Sequence, residues 1–184
     1  MKILLASTNA HKLKELALLL KGFEVLSYSE LLRPFEIEEV GLSFKQNALI
    51  KSRAVFKRLS SAQRREFVVL SDDSGLSVEA LNEAPGIYSA RFSKQGDDRS
   101  NRAKLISELK ALGLEQSKAH YTACIGLSSI YGDLTAQGFL RGVVISKERG
   151  QNGFGYDSVF VPLGFNKTLG ELDESVKMRI SHRF

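Results

Sequence analysis

Cysteine is nearly absent from this 184-residue chain, which carries only Cys124. One thiol excludes an internal disulfide and leaves cysteine-based zinc ligation without support. Its place in the apolar run 121–127 suits a small core residue better than a nucleophile. Long apolar runs are also missing. The apolar start, residues 3–6, is far too short for a signal sequence or a membrane span, and the lone cysteine suits a reducing cytoplasm, the expected compartment. No internal repeat, low-complexity tract or proline-rich linker occurs, and prolines number only three. Any two lobes must therefore be wound together rather than strung in sequence.

What the chain does have is material for a core. Hydrophobic residues make up 43% of it, enough for one domain or two small lobes that fold unaided. The net charge of +5, with a pI near 9.3, favours anionic ligands without separating nucleotides from polymers.

The stretch Val68-Val69-Leu70-Ser71-Asp72-Asp73-Ser74-Gly75-Leu76 organises the rest. Three apolar residues, two of them β-branched, predict a short buried strand that delivers two carboxylates to a fixed point. Adjacent aspartates in a partly buried place repel each other, so they call for a cation, a shared proton or strong donors, and a hard divalent ion such as Mg2+ prefers carboxylate oxygens. An Asx-type turn closing the strand would use the same residues, and Leu76-Ser77-Val78 reads as a separate strand after it.

At the N-terminus, residues 2–6 read as a first strand. After it comes the polar turn Ser7-Thr8-Asn9-Ala10-His11-Lys12, then a helix with Leu13, Leu16, Ala17 and Leu20 on one face and Gly22 at its end. Ser7, Thr8 or Asn9 can cap this helix. Its free N–H groups and Lys12 would favour a phosphate, although the turn lacks the glycines of a Walker loop. Residues 23–27 read as another strand. Glu38 and Glu39 then precede a helix opened by the capping spacing of Ser43 and Gln46, with Phe44, Ala48, Val55 and Leu59 on one face. Lys51, Arg53, Lys57, Arg58, Arg64 and Arg65 read as a solvated surface rather than a nucleic-acid track.

Farther on, Ser100 or Asn101 is the expected cap of a helix bearing Leu105, Ile106, Leu109 and Leu112, preceded by a mobile polar segment 93–98. Residues 119–145 read as a hairpin turning at Gly132-Asp133, which introduces an antiparallel component. The segment 150–157 is glycine-rich and carries Phe154, Tyr156 and Asp157. Its glycines would let backbone approach a flat ligand, on which an exposed ring could stack, but a plain hairpin turn would use them equally well. Thr168 and Glu171 have capping-box spacing.

Taken together, these segments resemble the Ham1-like inosine triphosphate pyrophosphatases over essentially the whole chain. The residues that carry the resemblance are Ser7-Thr8-Asn9 with Lys12, Glu38-Glu39 before Gly41-Leu42-Ser43-Phe44 and Asn47-Ala48, Asp72-Asp73-Ser74-Gly75-Leu76, Ala84-Pro85-Gly86-Ile87-Tyr88-Ser89-Ala90-Arg91, Gly153-Phe154-Gly155-Tyr156-Asp157, and Ser181-His182-Arg183. The resemblance implies an elongated two-lobed α/β fold with a central curved mixed sheet flanked by helices, usually a homodimer. It also implies Mg2+-dependent hydrolysis of ITP, dITP and XTP to the monophosphate and pyrophosphate, with neither nucleic acid nor membrane as partner. By position, Asp73 would be the catalytic carboxylate, and Asp73, Asp72, Glu39 and Glu38 would hold the metal. Ser7, Thr8, Asn9, Ala10, His11, Lys12 and Ser74 would contact the substrate, and Phe154, Gly155, Tyr156, Asp157, Lys177, His182 and Arg183 would surround its base and sugar.

Two departures from the family pattern stand out. Met178 follows Lys177 where relatives commonly place a small or polar residue. Relatives also continue past Ser-His-Arg into a final helix, so the basic tail 177–184 is expected to lack an anchor and to be mobile. Rival readings are a house-cleaning nucleotide pyrophosphatase of other base preference, a dimer resembling an aspartic protease built on Asp73-Ser74-Gly75, and a basic nucleic-acid binder.

Overall fold

The computed structural model describes residues 2–183, with Ala10 and His11 described through their backbone alone. The elements are β1 (Lys2–Leu5), α1 (Ala10–Leu19), β2 (Val25–Ser27), α2 (Phe44–Arg58), α3 (Ser61–Glu66), β3 (Phe67–Val78), α4 (Asp98–Ala111), β4 (Gln116–Ser129), β5 (Gly132–Ile145), β6 (Phe160–Pro162) and α5 (Glu174–Ile180). They form an α/β fold around one mixed six-stranded sheet of order β2-β1-β3-β4-β5-β6. β1 pairs in parallel with both β2 and β3, whereas β5 pairs antiparallel with β6.

The chain divides into two compact units. Among the described residues, one runs up to Asp73 and takes in Ala123–Gln137 and Arg183; the other comprises Ser74–Thr122 and Gly138–His182. In the first unit the period of two in β1 and β3 covers both sheet faces. Ile3, Leu5, Val68 and Leu70 pack under Leu13 and Leu16 of α1 and under Leu20 just past its end, while Leu4, Ala6, Phe67 and Val69 pack against Val55 and Phe56 of α2 and against Leu59. Ala17, expected on the buried face of α1, is exposed. In the second unit Leu76, Val78, Ala119, Tyr121, Val144 and Phe160 of the strands pack on Leu105 and Leu109 of α4.

Several boundaries differ from the sequence reading for physical reasons. The acidic turn is absent. β3 continues as a single strand of 12 residues through Asp72, Asp73, Ser74 and Gly75, because the turn-forming side chains find partners in neighbouring elements instead of bonding their own backbone. The cap of α4 is Asp97, whose carboxylate accepts the Ser100 N–H at 2.9 Å, and Ser93 Oγ bonds Ser100 Oγ at 2.7 Å, so segment 93–98 is tied down. The hairpin turns at Ile130 and Tyr131, two residues early, where Ser129 Oγ accepts the Tyr131 N–H and donates to the Gly132 carbonyl, each at 3.1 Å.

Candidate active site

The first unit assembles the site from the C-terminal ends of its parallel strands. Pairing of β1 with β3 ends at Leu5 and Leu70, and the Ala6 N–H bonds the Leu70 carbonyl at 2.7 Å. The next residues of β3 are Ser71, Asp72 and Asp73, in the place where open α/β sheets commonly hold ligands.

Because β3 stays a strand, its pleat separates the two aspartates. Neighbouring residues point to opposite faces. Asp72 continues the row of Val68 and Leu70 toward α1, and Asp73 continues the row of Phe67, Val69 and Ser71 toward α2. The partners agree. Asp72 Oδ2 lies 2.7 Å from Lys12 Nζ of α1, and Asp72 Oδ1 accepts from Arg183 Nε at 3.3 Å. Arg183 also reaches Glu15 of α1 at 2.6 Å. On the other face, Ser71 Oγ donates to the Ala48 carbonyl of α2 at 2.6 Å, and Asp73 Oδ1 accepts from Lys51 Nζ of α2 at 2.7 Å. Lys51 Nζ also lies 3.3 Å from Glu39 Oε1.

These surroundings drive the two carboxylates apart in acidity. Burial alone would raise the pKa of Asp72, but Lys12 and Arg183 outweigh it and hold the carboxyl well below the usual range. Burial also dominates at Asp73, where Lys51 offsets it only in part and the Glu39 charge adds to it, so that pKa is raised. Asp73 Oδ2 is buried with no hydrogen-bond partner among the described residues. An ionisable oxygen left so is costly unless a ligand completes it.

The four carboxylates expected to hold metal are not all brought together. Among the described residues no three acidic, histidine or cysteine side chains converge as a ligand group. Asp72 faces away from Asp73 and is taken by two cations, and Glu38 is exposed. Asp73 and Glu39, joined through Lys51, are the two carboxylates a cation could share. Two suffice for Mg2+, which commonly takes one or two carboxylates and completes its shell with waters and substrate phosphates.

Lys51 was missed by the sequence reading, which placed it on a solvated surface. Its position held the signal: it stands three residues after Ala48 and four before Val55, on the stripe that α2 buries. Gly126 of β4 seats that stripe, since an added Cβ would meet the Ala48 carbonyl carbon at 2.7 Å. Among the N-terminal candidates, Asn9 is the cap of α1. Its Oδ1 accepts the Lys12 N–H at 3.2 Å, and Ser7 Oγ accepts the Asn9 N–H at 3.2 Å. Thr8 is exposed. Ala10 and His11 supply backbone to the first turn, and their side chains lie outside the described residues.

The second unit gathers another group of the expected residues. Asp157 Oδ2 accepts from Lys177 Nζ at 2.7 Å and from the Phe154 N–H at 3.3 Å. The His182 ring stacks on Tyr121 at a centroid distance of 5.0 Å, and the Tyr121 hydroxyl lies 3.5 Å from Asp157 Oδ1. Gly153 lies against this pair at a φ of +85°, a conformation that favours glycine, and an added Cβ would meet the ends of both side chains. Tyr121, read from sequence only as part of an apolar run, is the platform of this cluster. Two expected members lie elsewhere. Tyr156 is a core residue whose hydroxyl donates to the Ser89 carbonyl at 2.8 Å, and Arg183 belongs to the Asp72 group. Ser74, the next residue of β3, is half-buried. The expected mobile tail is instead helical through Ile180, and Arg183 beyond it is anchored by Asp72 and Glu15; Phe184 lies outside the described residues.

Fold and site define an α/β protein in which lysine-held carboxylates stand on β3 just beyond its parallel pairing with β1, a setting for a polyanion and the cation that accompanies it. The sequence profile of the Ham1 family matches residues 3–184. The chain is 57% identical over 194 aligned residues to a protein of Campylobacter concisus named dITP/XTP pyrophosphatase, covering all of this chain and 91% of that one. A protein of the same name from Campylobacter jejuni subsp. jejuni is 54% identical over 184 residues, with coverage of 100% and 92%. Of solved structures, the Ham1 protein of Staphylococcus aureus superposes with a TM-score of 0.85 at 34% identity, and that of Coxiella burnetii with 0.86 at 35%, each match covering 100% of this chain and 92% of the other. This chain belongs to the Ham1 family.

Proposed function

We propose that this chain is a nucleoside triphosphate pyrophosphohydrolase that removes ITP, dITP and XTP from the nucleotide pool, releasing the monophosphate and pyrophosphate. Relatives at 57% and 54% identity bear the name dITP/XTP pyrophosphatase. The observation that carries the reading is the asymmetry of Asp73: Lys51 fixes Oδ1, while buried Oδ2 has no partner among the described residues. A carboxylate held by one oxygen and open at the other is suited to orient a water and accept its proton as the water attacks the α-phosphorus. Its raised pKa brings it closer to the pH at which it would work as a base.

Asp73 and Glu39 are the residues proposed to hold Mg2+, which when bound would neutralise phosphoryl charge and polarise water. The chain's own cations would share that load. Lys12 keeps two of its three ammonium donors after pairing with Asp72, and the first turn of α1 adds backbone N–H groups for phosphate oxygens. Asp72 would then position Lys12 rather than bind metal.

Base selection calls for donors. Inosine and xanthine present a 6-oxo acceptor where adenine presents an amino donor, so Lys177 and His182 would pair with the first and be left unpaired by the second. The protein is proposed to act in the cytoplasm as a homodimer on small-molecule triphosphates, without nucleic acid or membrane. No helix among the described residues is long and apolar enough to cross a membrane. Pyrophosphate release over ITP, dITP, XTP, GTP and ATP with Mg2+ tests the reading. The expected result is a preference for the first three over ATP of roughly a hundredfold or more. Equal turnover of ATP, or release of inorganic phosphate in place of pyrophosphate, would contradict it.

A further inference from the structure

Helix α4 grips the glycine-rich segment 150–157 at one residue. The Gly155 N–H donates to Asp98 Oδ2 at 2.7 Å, and the Gly155 carbonyl accepts from Arg102 Nη1 at 2.8 Å. Residues 98 and 102 are four apart, so they share a helix face and take both polar groups of one residue. Arg102 is itself held, because Nε donates to Glu148 Oε2 at 2.8 Å and the same oxygen accepts from Ser158 Oγ at 2.9 Å. Gly155 has φ of +58°, yet an added Cβ would meet nothing within 4 Å. Glycine is needed there for backbone conformation and not for space, so its hydrogen bonds must fix where it sits. Its neighbours are secured on other sides: Asn152 N–H bonds the Gly170 carbonyl at 3.0 Å, and the Tyr156 hydroxyl bonds Ser89.

We infer that Asp98 and Arg102 are positioning residues that set base specificity, by fixing Gly155 and with it Phe154 and the Asp157–Lys177 pair. The inference rests on the proposal that this segment contacts the base. Neither residue touches the base in this account. Asp98 and Arg102 act through the segment, so their loss should weaken binding of the base while leaving the phosphoryl chemistry of the first unit in place.

Asp98→Ala and Arg102→Ala are expected to raise KM for ITP about tenfold with kcat within about twofold, and to narrow the preference for ITP over ATP. Asp98→Asn keeps an acceptor oxygen and should restore KM to near the wild-type value. Hydrogen exchange at the Gly155 amide should accelerate in Asp98→Ala but not in Asp98→Asn, with far-UV circular dichroism confirming that each variant folds. Unchanged KM and unchanged Gly155 exchange in both alanine variants would overturn the inference, as would an equal fall in kcat. Should wild-type protein fail to hydrolyse ITP, dITP or XTP, the proposed function falls, and Gly155 exchange still decides whether the clamp exists.

Discussion

At the scale of single residues, the proposed chemistry turns on two aspartates with opposite fates. Asp72 gains two cations and is ionised; its folded pKa lies below the unfolded value. Its stabilisation is therefore complete above the ordinary carboxylate range and fades as pH falls through the lower, folded pKa. Asp72→Asn should cost about 3 kcal/mol at pH 7, because Lys12 and Arg183 lose their shared partner. Urea unfolding should show that cost shrinking below about pH 4; a difference independent of pH would contradict the pairing. Asp73 behaves in the opposite sense, with burial raising its pKa and Lys51 holding it down. Lys51→Met should then move the acid limb of the kcat/KM profile to higher pH and cut turnover at pH 7 by roughly a hundredfold. An unmoved limb would show that Lys51 does not govern Asp73.

At the scale of elements, the continuity of β3 matters more than its composition. Read as a turn, Asp72-Asp73-Ser74-Gly75 would place both carboxylates together; as a pleated strand it sends them to α1 and α2. That difference was not legible locally, since Asp, Ser and Gly are turn formers whose strand state depends on partners far away in sequence, Lys12, Lys51 and Arg183. The helices were easier. The leucines of the α1 stripe, Ala48 and Val55 of α2, the capping of α2 by Ser43 and the Thr168–Glu171 box all follow from local spacing and appear as read, while Ala17 does not. What spacing cannot show is the seat of α2 on Gly126. Gly126→Val should push the Ala48 backbone away, lower stability by about 2 kcal/mol and draw Lys51 from Asp73. Thermal melting and kcat/KM should fall together, and a variant with wild-type values of both would refute the close approach.

At the scale of the whole molecule, motif order carried the family and the α/β mixed sheet, because those follow from segments that a linear reading preserves. The destinations of individual charges did not. Arg183 follows His182 directly in the chain yet bonds Asp72 and Glu15, and Tyr156, inside the glycine-rich segment 150–157, packs into the core. The net charge of +5 likewise says little, since Lys12, Lys51, Lys177 and Arg183 are all balanced by carboxylates. If the protein assembles as proposed, light scattering should report twice the 20.4 kDa chain mass, and a single chain mass would contradict the homodimer.

The central claim is that the open oxygen of Asp73 activates water, and turnover of Asp73→Asn, measured beside its melting temperature, tests it most directly. Pyrophosphate release from ITP should fall roughly a thousandfold. The fold should hold or gain stability, because the variant removes a carboxyl whose ionisation burial opposes. Mg2+-dependent release close to the wild-type rate would contradict the account.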